Sequence, residues 1–275
     1  MIRPKAAIIV TTLGLMLMVY LLPAQLVWAQ SATADFSFDN FAGTYYLDRD
    51  SKGVATLTVQ EDMVVEFPLN GNFYGIKRAI PEKYQGHDLN LKIISVTDVG
   101  GTPVNYRTYA DGQGNEIIET GDKDITLSGI QSYQINYQTS GVVAFNPDSD
   151  EFLVNVNGRG WQESFKSVKA FIHISKAFTA DLISKPTCYI GYQNETLNKC
   201  TLATINETDG SLINVSTTQP LTAHQALLVN LNFKKGTFQQ KKPTSKVYLV
   251  VESILAALLS ICGAVLLIKY LKDRE

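Results

Sequence analysis

Apolar and polar residues alternate along much of the chain, and the alternation is clearest in two segments. Residues 132–139 read Ser-Tyr-Gln-Ile-Asn-Tyr-Gln-Thr, and residues 226–233 read Ala-Leu-Leu-Val-Asn-Leu-Asn-Phe. A period of two places every second side chain on one face of an extended backbone, which is the pattern of a half-buried strand. Both segments are therefore predicted to be β-strands with one face toward a core.

Weaker versions of the same pattern predict further strands between the two apolar ends of the chain. The pair Glu61-Asp62 is expected to form a turn between the first two of them, and Asp111–Asn115 has the composition of a hairpin turn. A weak helical hint occurs near Phe178–Ile183. The predicted strands are 54–59, 63–67, 89–96, 104–109, 141–145, 152–156 and 168–174.

Many short strands separated by turn residues, without helical crossovers, indicate an all-β fold. Parallel strands need connections of about a dozen or more residues, and no such connection is apparent between neighbouring segments. The prediction is an antiparallel β-sandwich that occupies residues 35–235.

The first apolar segment has the features of an export signal. Arg3 and Lys5 precede an uncharged run, and residues 27–29 (Val-Trp-Ala) offer small side chains at the two positions that signal peptidase reads. The run Ala6–Leu22 is longer than the usual signal core of about 7–15 residues. Residues 1–29 are thus predicted to be a signal peptide or, alternatively, an uncleaved signal anchor.

The second apolar segment, residues 247–268, contains a single charge, Glu252. At a rise of about 1.5 Å per residue, a helix of this length spans roughly 33 Å, enough for a hydrocarbon core of about 30 Å. It is predicted to be a transmembrane helix, preceded by a basic juxtamembrane linker (236–246) and followed by a short cytoplasmic tail (269–275). The lipid bilayer is the partner that this helix implies.

Basic residues flank the predicted helix on both sides, so charge alone does not orient it. The positive start of a first segment usually dominates, and long domains cross the membrane largely regardless of their charge. The expected location is the cell membrane, as a single-pass protein with its N-terminal domain extracytoplasmic and its C-terminus cytoplasmic.

Charge and cysteine content narrow the possible partners. The formal net charge is −2 at pH 7, and a mild negative balance gives no reason to expect nucleic acid. Cys188 and Cys200 are the only cysteines between the two apolar segments, and an even pair in an oxidising compartment predicts a disulfide. Free thiols or a metal site are the alternatives, although His87, His173 and His224 are scattered singly along the sequence.

The sequence lacks the glycine-rich, nucleophile-elbow and zinc-binding motifs that identify common enzyme sites. Acidic pairs occur at Asp122/Asp124 and at Asp148/Asp150, where carboxylates could act as acid and base or bind calcium. In hairpin loops such aspartates more often form the turn, because the side chain bonds its own backbone. No catalytic residue, metal ligand or cofactor is predicted.

Two stretches, Asn70–Pro81 and Asn155–Trp161, combine aromatic, basic and glycine residues. An arginine beside an aromatic ring can recognise anionic or sugar ligands. A structural corner is the alternative, in which glycine permits the bend and the tryptophan fills the core. The candidate binding residues are Phe73, Tyr74, Lys77, Arg78, Arg159 and Trp161.

The same stretches resemble a predicted membrane protein family, the domain of unknown function 2207. Gly75–Pro81 is similar to the family's Arg-Gly-Ile-x-Arg-x-Ile-Pro, and Glu151–Trp161 to its acidic segment followed by Leu-Tyr-Trp-Asn-Val-x-Gly-x-Gly-Trp. Leu153-Val154-Asn155 departs from the second motif because it lacks the first tryptophan. Ser132–Tyr137, Cys188–Gly191 and Asn232–Gly236 resemble three further motifs in the same order. The resemblance implies a signal peptide, an extracytoplasmic β domain and membrane anchoring, with no known activity.

Members of that family typically continue with more membrane segments and a cytoplasmic tail, so the chain is expected to be a C-terminally truncated member. The leading functional hypothesis is a non-enzymatic binding or assembly module of the cell envelope, with envelope polymers or other membrane proteins as partners. One alternative is an envelope hydrolase or transferase that uses loop carboxylates such as Asp148 and Asp150. The other is a subunit of a larger membrane complex.

Overall fold

A computed structural model of the chain describes residues 36–192, 195–197 and 199–241. The predicted signal segment (1–29), transmembrane helix (247–268) and cytoplasmic tail (269–275) lie outside the described residues, as does the end of the predicted linker. Among the described residues, no helix has the length and apolar character needed to cross a bilayer.

Strands are the dominant elements of the described residues. A single turn of 3-10 helix, Thr179–Asp181, occupies the place of the weak helical hint. The strands are β1 (Ser37–Arg49), β2 (Ala55–Phe67), β3 (Lys77–Pro81), β4 (Lys83–Tyr84), β5 (His87–Asp88), β6 (Lys92–Thr97), β7 (Tyr106–Ala110), β8 (Asn115–Thr120), β9 (Gly129–Ser140), β10 (Val143–Phe145), β11 (Ser149–Asn155), β12 (Ser164–Phe165), β13 (Val168–Ser175), β14 (Thr187–Tyr192), β15 (Glu195–Leu197), β16 (Cys200–Glu207), β17 (Gly210–Thr217) and β18 (Ala226–Lys234).

These strands form two large sheets and two small ones. The eight-stranded sheet has the order β16-β17-β13-β1-β2-β9-β6, with β12 paired to β1, and the five-stranded sheet has the order β10-β11-β18-β14-β15. Strands β3, β8 and β7 form a three-stranded sheet, and β4 and β5 form a hairpin. The prediction of an all-β fold is confirmed.

Side chains from both large sheets form one hydrophobic core. In β2 the burial alternates without a break from Ala55 to Phe67, because successive side chains of a strand point to opposite faces. Strand β9 presents Tyr133, Ile135 and Tyr137 to the core, as its alternation predicts. In β18 every second residue faces the same core, and Leu228, on the other face, is buried as well.

The sequence pattern was misleading in β1 and β2. Glu61 and Asp62 do not form a turn, because β2 continues through them and pairs with β1 on one side and β9 on the other. Strand β1 was not predicted. Its register against β2 shifts between Phe38 and Asn40, and this bulge interrupts the period of two that sequence patterns depend on.

The parallel pairing of β1 with β13, which continues a short parallel pairing of β1 with β12, differs from the expected antiparallel arrangement. Strand β1 runs parallel to β13, with Phe41 opposite Val168 and Leu47 opposite Ile174. A parallel pair needs a long connection. Here the connection from β1 to β13 contains strands β2 to β12. A local pattern of apolar and polar residues carries no signal for a pair so distant in sequence, so this one was missed.

A disulfide joins Cys188 to Cys200 across a sequence separation of 12 residues. Cys188 lies in β14 of the five-stranded sheet, and Cys200 begins β16 of the eight-stranded sheet. The bond therefore links the two large sheets covalently.

Candidate functional site

The interior of the domain contains an ion pair. Arg78 donates from Nε to Glu61 Oε2 (2.7 Å) and from Nη2 to Glu61 Oε1 (2.6 Å). The exposed fraction is 0% for Glu61 and 5% for Arg78. Planar two-point pairing of this kind suits the guanidinium group and compensates for the loss of water around both charges.

Strand geometry places both charges inside. Glu61 occupies an inward position of β2, between the buried residues Val59 and Met63. Arg78 occupies the corresponding position of β3, between the buried residues Ile76 and Ile80. Each charge therefore stands where an apolar side chain would be expected, and each is tolerated because the other is there.

Two tyrosines extend the pair. The Tyr137 hydroxyl donates to Glu61 Oε1 (2.9 Å), and the Tyr45 hydroxyl donates to the carbonyl oxygen of Val156 (3.2 Å). Burial, followed by the negative charge of Glu61, raises the pKa of both phenols above the ordinary value of 10.0. Both tyrosines therefore remain protonated at any physiological pH.

Arg78 keeps its charge as well. Burial alone would lower its pKa, but the charge of Glu61 and the hydrogen bonds between the two groups raise the pKa above its ordinary value. The guanidinium carbon also lies 5.7 Å from the centre of the Phe41 ring, a distance at which the ring face attracts a cation.

Asn157 connects this ion pair to the glycine-rich corner. Its carbonyl oxygen accepts from Arg78 Nη1 (3.1 Å) and from Trp161 Nε1 (2.7 Å). Its side-chain amide donates to the carbonyl of Gln225 and accepts from the backbone N–H of Leu227. We call Glu61, Arg78, Tyr45, Tyr137 and Asn157 the polar cluster.

Gly158 is required for this geometry. Its φ is +80°, and a Cβ at this position would lie 2.6 Å from Arg78 Nη1. Glycine adopts such a φ without a steric penalty, and its missing side chain leaves room for the guanidinium. Every side chain of the polar cluster has a hydrogen-bond partner, an arrangement that favours a stabilising contribution to the fold.

A cavity of about 360 Å³ lies beside the polar cluster. Tyr45 and Tyr137 form part of its lining, with Leu57, Phe152 and Val154. Its volume is at the lower end of the range of about 300–1,000 Å³ for small-molecule sites. We call it the hairpin cavity, because Lys83 and Tyr84 of the β4–β5 hairpin also line it.

The hairpin is short and has a defined turn. Gln85 and Gly86 both have positive φ, +46° and +83°, as a two-residue hairpin turn with matching twist requires. His87 Nε2 lies 2.9 Å from the carbonyl oxygen of Gly141, which ties the hairpin to the end of β9. Burial, and to a lesser extent the charge of Glu151, raises the pKa of Tyr84.

The opposite side of the cavity is an open sheet edge. Strand β10 begins at Val143, opposite Phe152, so Leu153 and Asn155 of β11 extend past the end of their neighbour, and both line the cavity. Arg159 lines the cavity too. Its guanidinium lies close to Gly191, since a Cβ added there would be 2.8 Å from Nη2.

The candidate residues of the first predicted loop separate in the structure. Arg78 is buried in the polar cluster and cannot form part of an exposed surface. Phe73 is partly buried and packs against Phe36 and Phe67. Tyr74 and Lys77 are exposed; Tyr74 lines a shallow surface pocket, and Lys77 pairs with Glu119 at 3.5 Å.

The second predicted stretch also divides. Trp161 is 7% exposed, and its ring lies 4.7 Å from that of Phe38 in an edge-to-face contact. It thus fills the core, as in the structural-corner alternative. Arg159 is exposed at the mouth of the hairpin cavity. Of the six candidate binding residues, only Arg159 lines this cavity.

The predicted acidic pair of β11 is not brought together. Asp148 is exposed. Asp150 is buried, and its Oδ2 accepts from the backbone N–H groups of Gly236 (3.1 Å) and Phe238 (2.9 Å). Its other oxygen lies 3.6 Å from Lys235 Nζ. The Asp150 carboxylate therefore anchors the segment after β18.

The second acidic pair forms a turn, since Asp122 Oδ1 accepts from the backbone N–H of Asp124 (2.9 Å). Across the described ranges, no group of three or more His, Cys, Asp or Glu side chains is arranged to hold a metal ion.

Five residues of the polar cluster and of the charged cavity lining are not among the predicted candidates: Glu61, Tyr45, Tyr137, Asn157 and Lys83. A signal for Glu61 was present, because the alternation of β2 continues through it in register. Asn157 lies within the segment that resembles Asn-Val-x-Gly-x-Gly-Trp, but it is not one of the six predicted binding residues. No local sequence pattern indicates Lys83, because its place in the cavity lining depends on how the β4–β5 hairpin packs against the rest of the domain.

The fold and site together define an all-β domain with a closed polar cluster and an adjoining apolar cavity. The chain belongs to the family described as "Predicted membrane protein (DUF2207) N-terminal domain", which matches residues 38–249. Association with the lipid bilayer follows from that membership. Four of the five segments that resemble the family border the polar cluster or the hairpin cavity: Gly75–Pro81, Ser132–Tyr137, Glu151–Trp161 and Cys188–Gly191.

Solved structures show only distant similarity. The M1 zinc metallopeptidase from Deinococcus radiodurans has 9% identity and a TM-score of 0.41, over 71% of this chain and 42% of that one. Native yeast LTA4 hydrolase has 7% identity and a TM-score of 0.44, over 72% and 29%. The chain thus spans less than half the length of either structure. A search of the curated proteins finds no match.

Proposed function

We propose that this chain is a non-enzymatic binding module of a membrane protein, that its β domain is extracytoplasmic, and that its ligand site is the hairpin cavity. The observation that carries the proposal is a cavity lined mainly by apolar side chains, with the hairpin residues Lys83 and Tyr84 and the exposed Arg159 also in its lining. Small-molecule sites are typically apolar with a few placed polar groups.

The placement of the charged groups supports binding rather than catalysis. Glu61 and Arg78 are committed to each other, and Asp150 is committed to two backbone N–H groups. A general acid or base must be within hydrogen-bonding reach of a bound substrate. In the part of the chain that the structure describes, the cavity lining includes no aspartate, glutamate, histidine, serine or cysteine.

Photo-crosslinking in intact cells tests the proposal without assuming a ligand. Leu153, which is partly buried at the cavity, is replaced by benzoylphenylalanine in the full-length chain. Ile205, 47% exposed in β16 at the far edge of the larger sheet, receives the same replacement as the matched control. After irradiation, intact-mass spectrometry measures adducts on the purified protein.

The expected result is a small-molecule adduct at position 153 that position 205 lacks. Equal labelling at both positions, or no adduct at 153 while the protein remains folded, would contradict the assignment of the cavity. An adduct at position 153 whose mass matches a product of cleavage or group transfer would contradict the proposal that the module is non-enzymatic.

A further inference from the structure

The hairpin cavity is apolar inside and basic at its mouth. Its walls include Ile80, Leu153 and Leu228, and the charged residues among its described lining are Lys83 and Arg159. Both cations are exposed, and within residues 36–192, 195–197 and 199–241 neither forms a salt bridge. The cavity therefore offers a positive rim without a neutralising carboxylate among its lining residues.

The interior offers few polar groups to a ligand. The hydroxyls of Tyr45 and Tyr137 already donate to Val156 and Glu61, which leaves Tyr84, Thr139 and Asn155 as the other uncharged polar residues of the lining. A polar group buried without a partner costs free energy, so the part of a ligand that enters must be apolar. The part that remains at the rim gains from negative charge, because it meets two cations.

The geometry points to an anionic amphiphile with one hydrocarbon chain as the ligand. The chain occupies the cavity between the hairpin and the open edge of β11, and the carboxylate or phosphate head lies between Lys83 and Arg159. This inference rests on the proposed function and adds the chemical class of the ligand. One chain suits a cavity of about 360 Å³, which is at the small end of ligand sites.

Competition for a photoreactive probe tests the inference. The full-length chain is reconstituted in phosphatidylcholine nanodiscs, and decanoate carrying a diazirine is crosslinked to it. Mass spectrometry of the digested protein measures labelling of the cavity segments Ile80–Tyr84 and Leu153–Arg159. The competitors are octanoate and decanoate, decanol, decyltrimethylammonium, lysophosphatidylglycerol and lysophosphatidylcholine.

Three results are expected. Decanoate competes about tenfold or more better than octanoate, since each buried methylene contributes about fourfold in affinity. Decanoate also competes at least tenfold better than decanol. The variants Lys83→Gln and Arg159→Gln each weaken decanoate about tenfold, as loss of a charge-assisted contact predicts, and leave decanol unchanged. Lys92→Gln, in the neighbouring strand β6, is the matched control.

The head group is identified by the remaining competitors. Stronger competition by decanoate than by lysophosphatidylglycerol indicates a free fatty acid, and the reverse order indicates a phosphate-bearing lipid; both agree with the inference. Equal competition by decanol, or preference for decyltrimethylammonium, would overturn the anionic class.

Failure of the inference can be distinguished from failure of the proposed function. If decanol competes as well as decanoate, and the glutamine variants behave like the wild-type chain, the cavity binds apolar molecules without charge selection. If no probe labels the cavity segments and benzoylphenylalanine at position 153 captures nothing in cells, the binding site itself is wrong.

Discussion

Replacement of Arg78 by methionine removes one half of the buried ion pair while keeping a side chain of similar length. Both hydrogen bonds to Glu61 are lost, together with those that Arg78 Nη1 makes to the carbonyls of Asn157 and Ala79. The Glu61 carboxylate, 0% exposed, then has only the Tyr137 hydroxyl as a side-chain donor among the described residues.

The expected cost follows from that uncompensated charge. Removing one partner of a buried ion pair typically costs about 3–5 kcal/mol, whereas replacing both by apolar residues of similar volume is often neutral or stabilising. Arg78→Met should therefore lower the free energy of unfolding by about 3–5 kcal/mol. The double variant Glu61→Leu/Arg78→Met should recover at least about 2 kcal/mol of that loss.

Urea unfolding of the full-length chain in a non-ionic detergent measures these values, with the fluorescence of Trp161 as the signal. Trp28 is replaced by phenylalanine throughout, because the sequence contains two tryptophans. Arg107→Met is the matched control: Arg107 pairs with Glu119 at 2.7 Å but its side chain is 73% exposed. An exposed pair contributes about 0–1 kcal/mol.

Two outcomes would refute the explanation. If Arg78→Met costs no more than Arg107→Met, the Glu61 carboxylate reaches water and the pair is not an interior one. If the double variant is less stable than Arg78→Met alone, the two charges act independently, and their side chains contribute through packing.

Three further predictions concern the glycine corner, the disulfide and the tyrosines. Gly158→Ala should cost at least about 1 kcal/mol because an L-residue is strained at φ +80°; thermal unfolding should show no comparable loss for Gly160→Ala, where a Cβ meets nothing. Reduction of Cys188–Cys200 should cost about 3 kcal/mol for a separation of 12 residues, and a melting temperature insensitive to reductant would contradict this. Because the pKa of Tyr137 is raised, its stabilising effect is complete below pH 10 and declines above it by about 1.4 kcal/mol per pH unit. Tyr137→Phe should therefore flatten alkaline denaturation, and an unchanged slope would count against a buried phenol.

The strands were predictable where one face is apolar and the other polar. In β9 the period of two is clear, and in β18 it is clear from Val229 onward, so the inward residues there can be identified from the sequence alone. In β2 the same period continues, but Glu61 was interpreted as a turn because a charge is rarely placed inside. Its partner Arg78 lies in another sheet, and no local pattern indicates that the two charges meet.

The sequence predicted the segments that lie near the candidate site, but not most of the residues that form it. The stretches around Arg78 and Trp161 do adjoin the cavity, yet both of those side chains are buried, and only Arg159 lies at its rim. Aromatic and basic residues suit both an exposed binding surface and a satisfied interior. Their composition therefore cannot separate the two roles, which depend on long-range contacts such as Arg78 with Asn157.

The parallel pairing of β1 with β13 has a consequence for how the chain reaches its native state. The first strand of the domain obtains its parallel neighbour only after most of the domain has been made. At about 5–20 residues per second of synthesis, the β13-facing edge of β1 stays unpaired for several seconds. Such non-local contacts slow folding, and an exposed strand edge can pair with other chains. The nascent domain therefore has an interval in which a holding chaperone would protect it from aggregation.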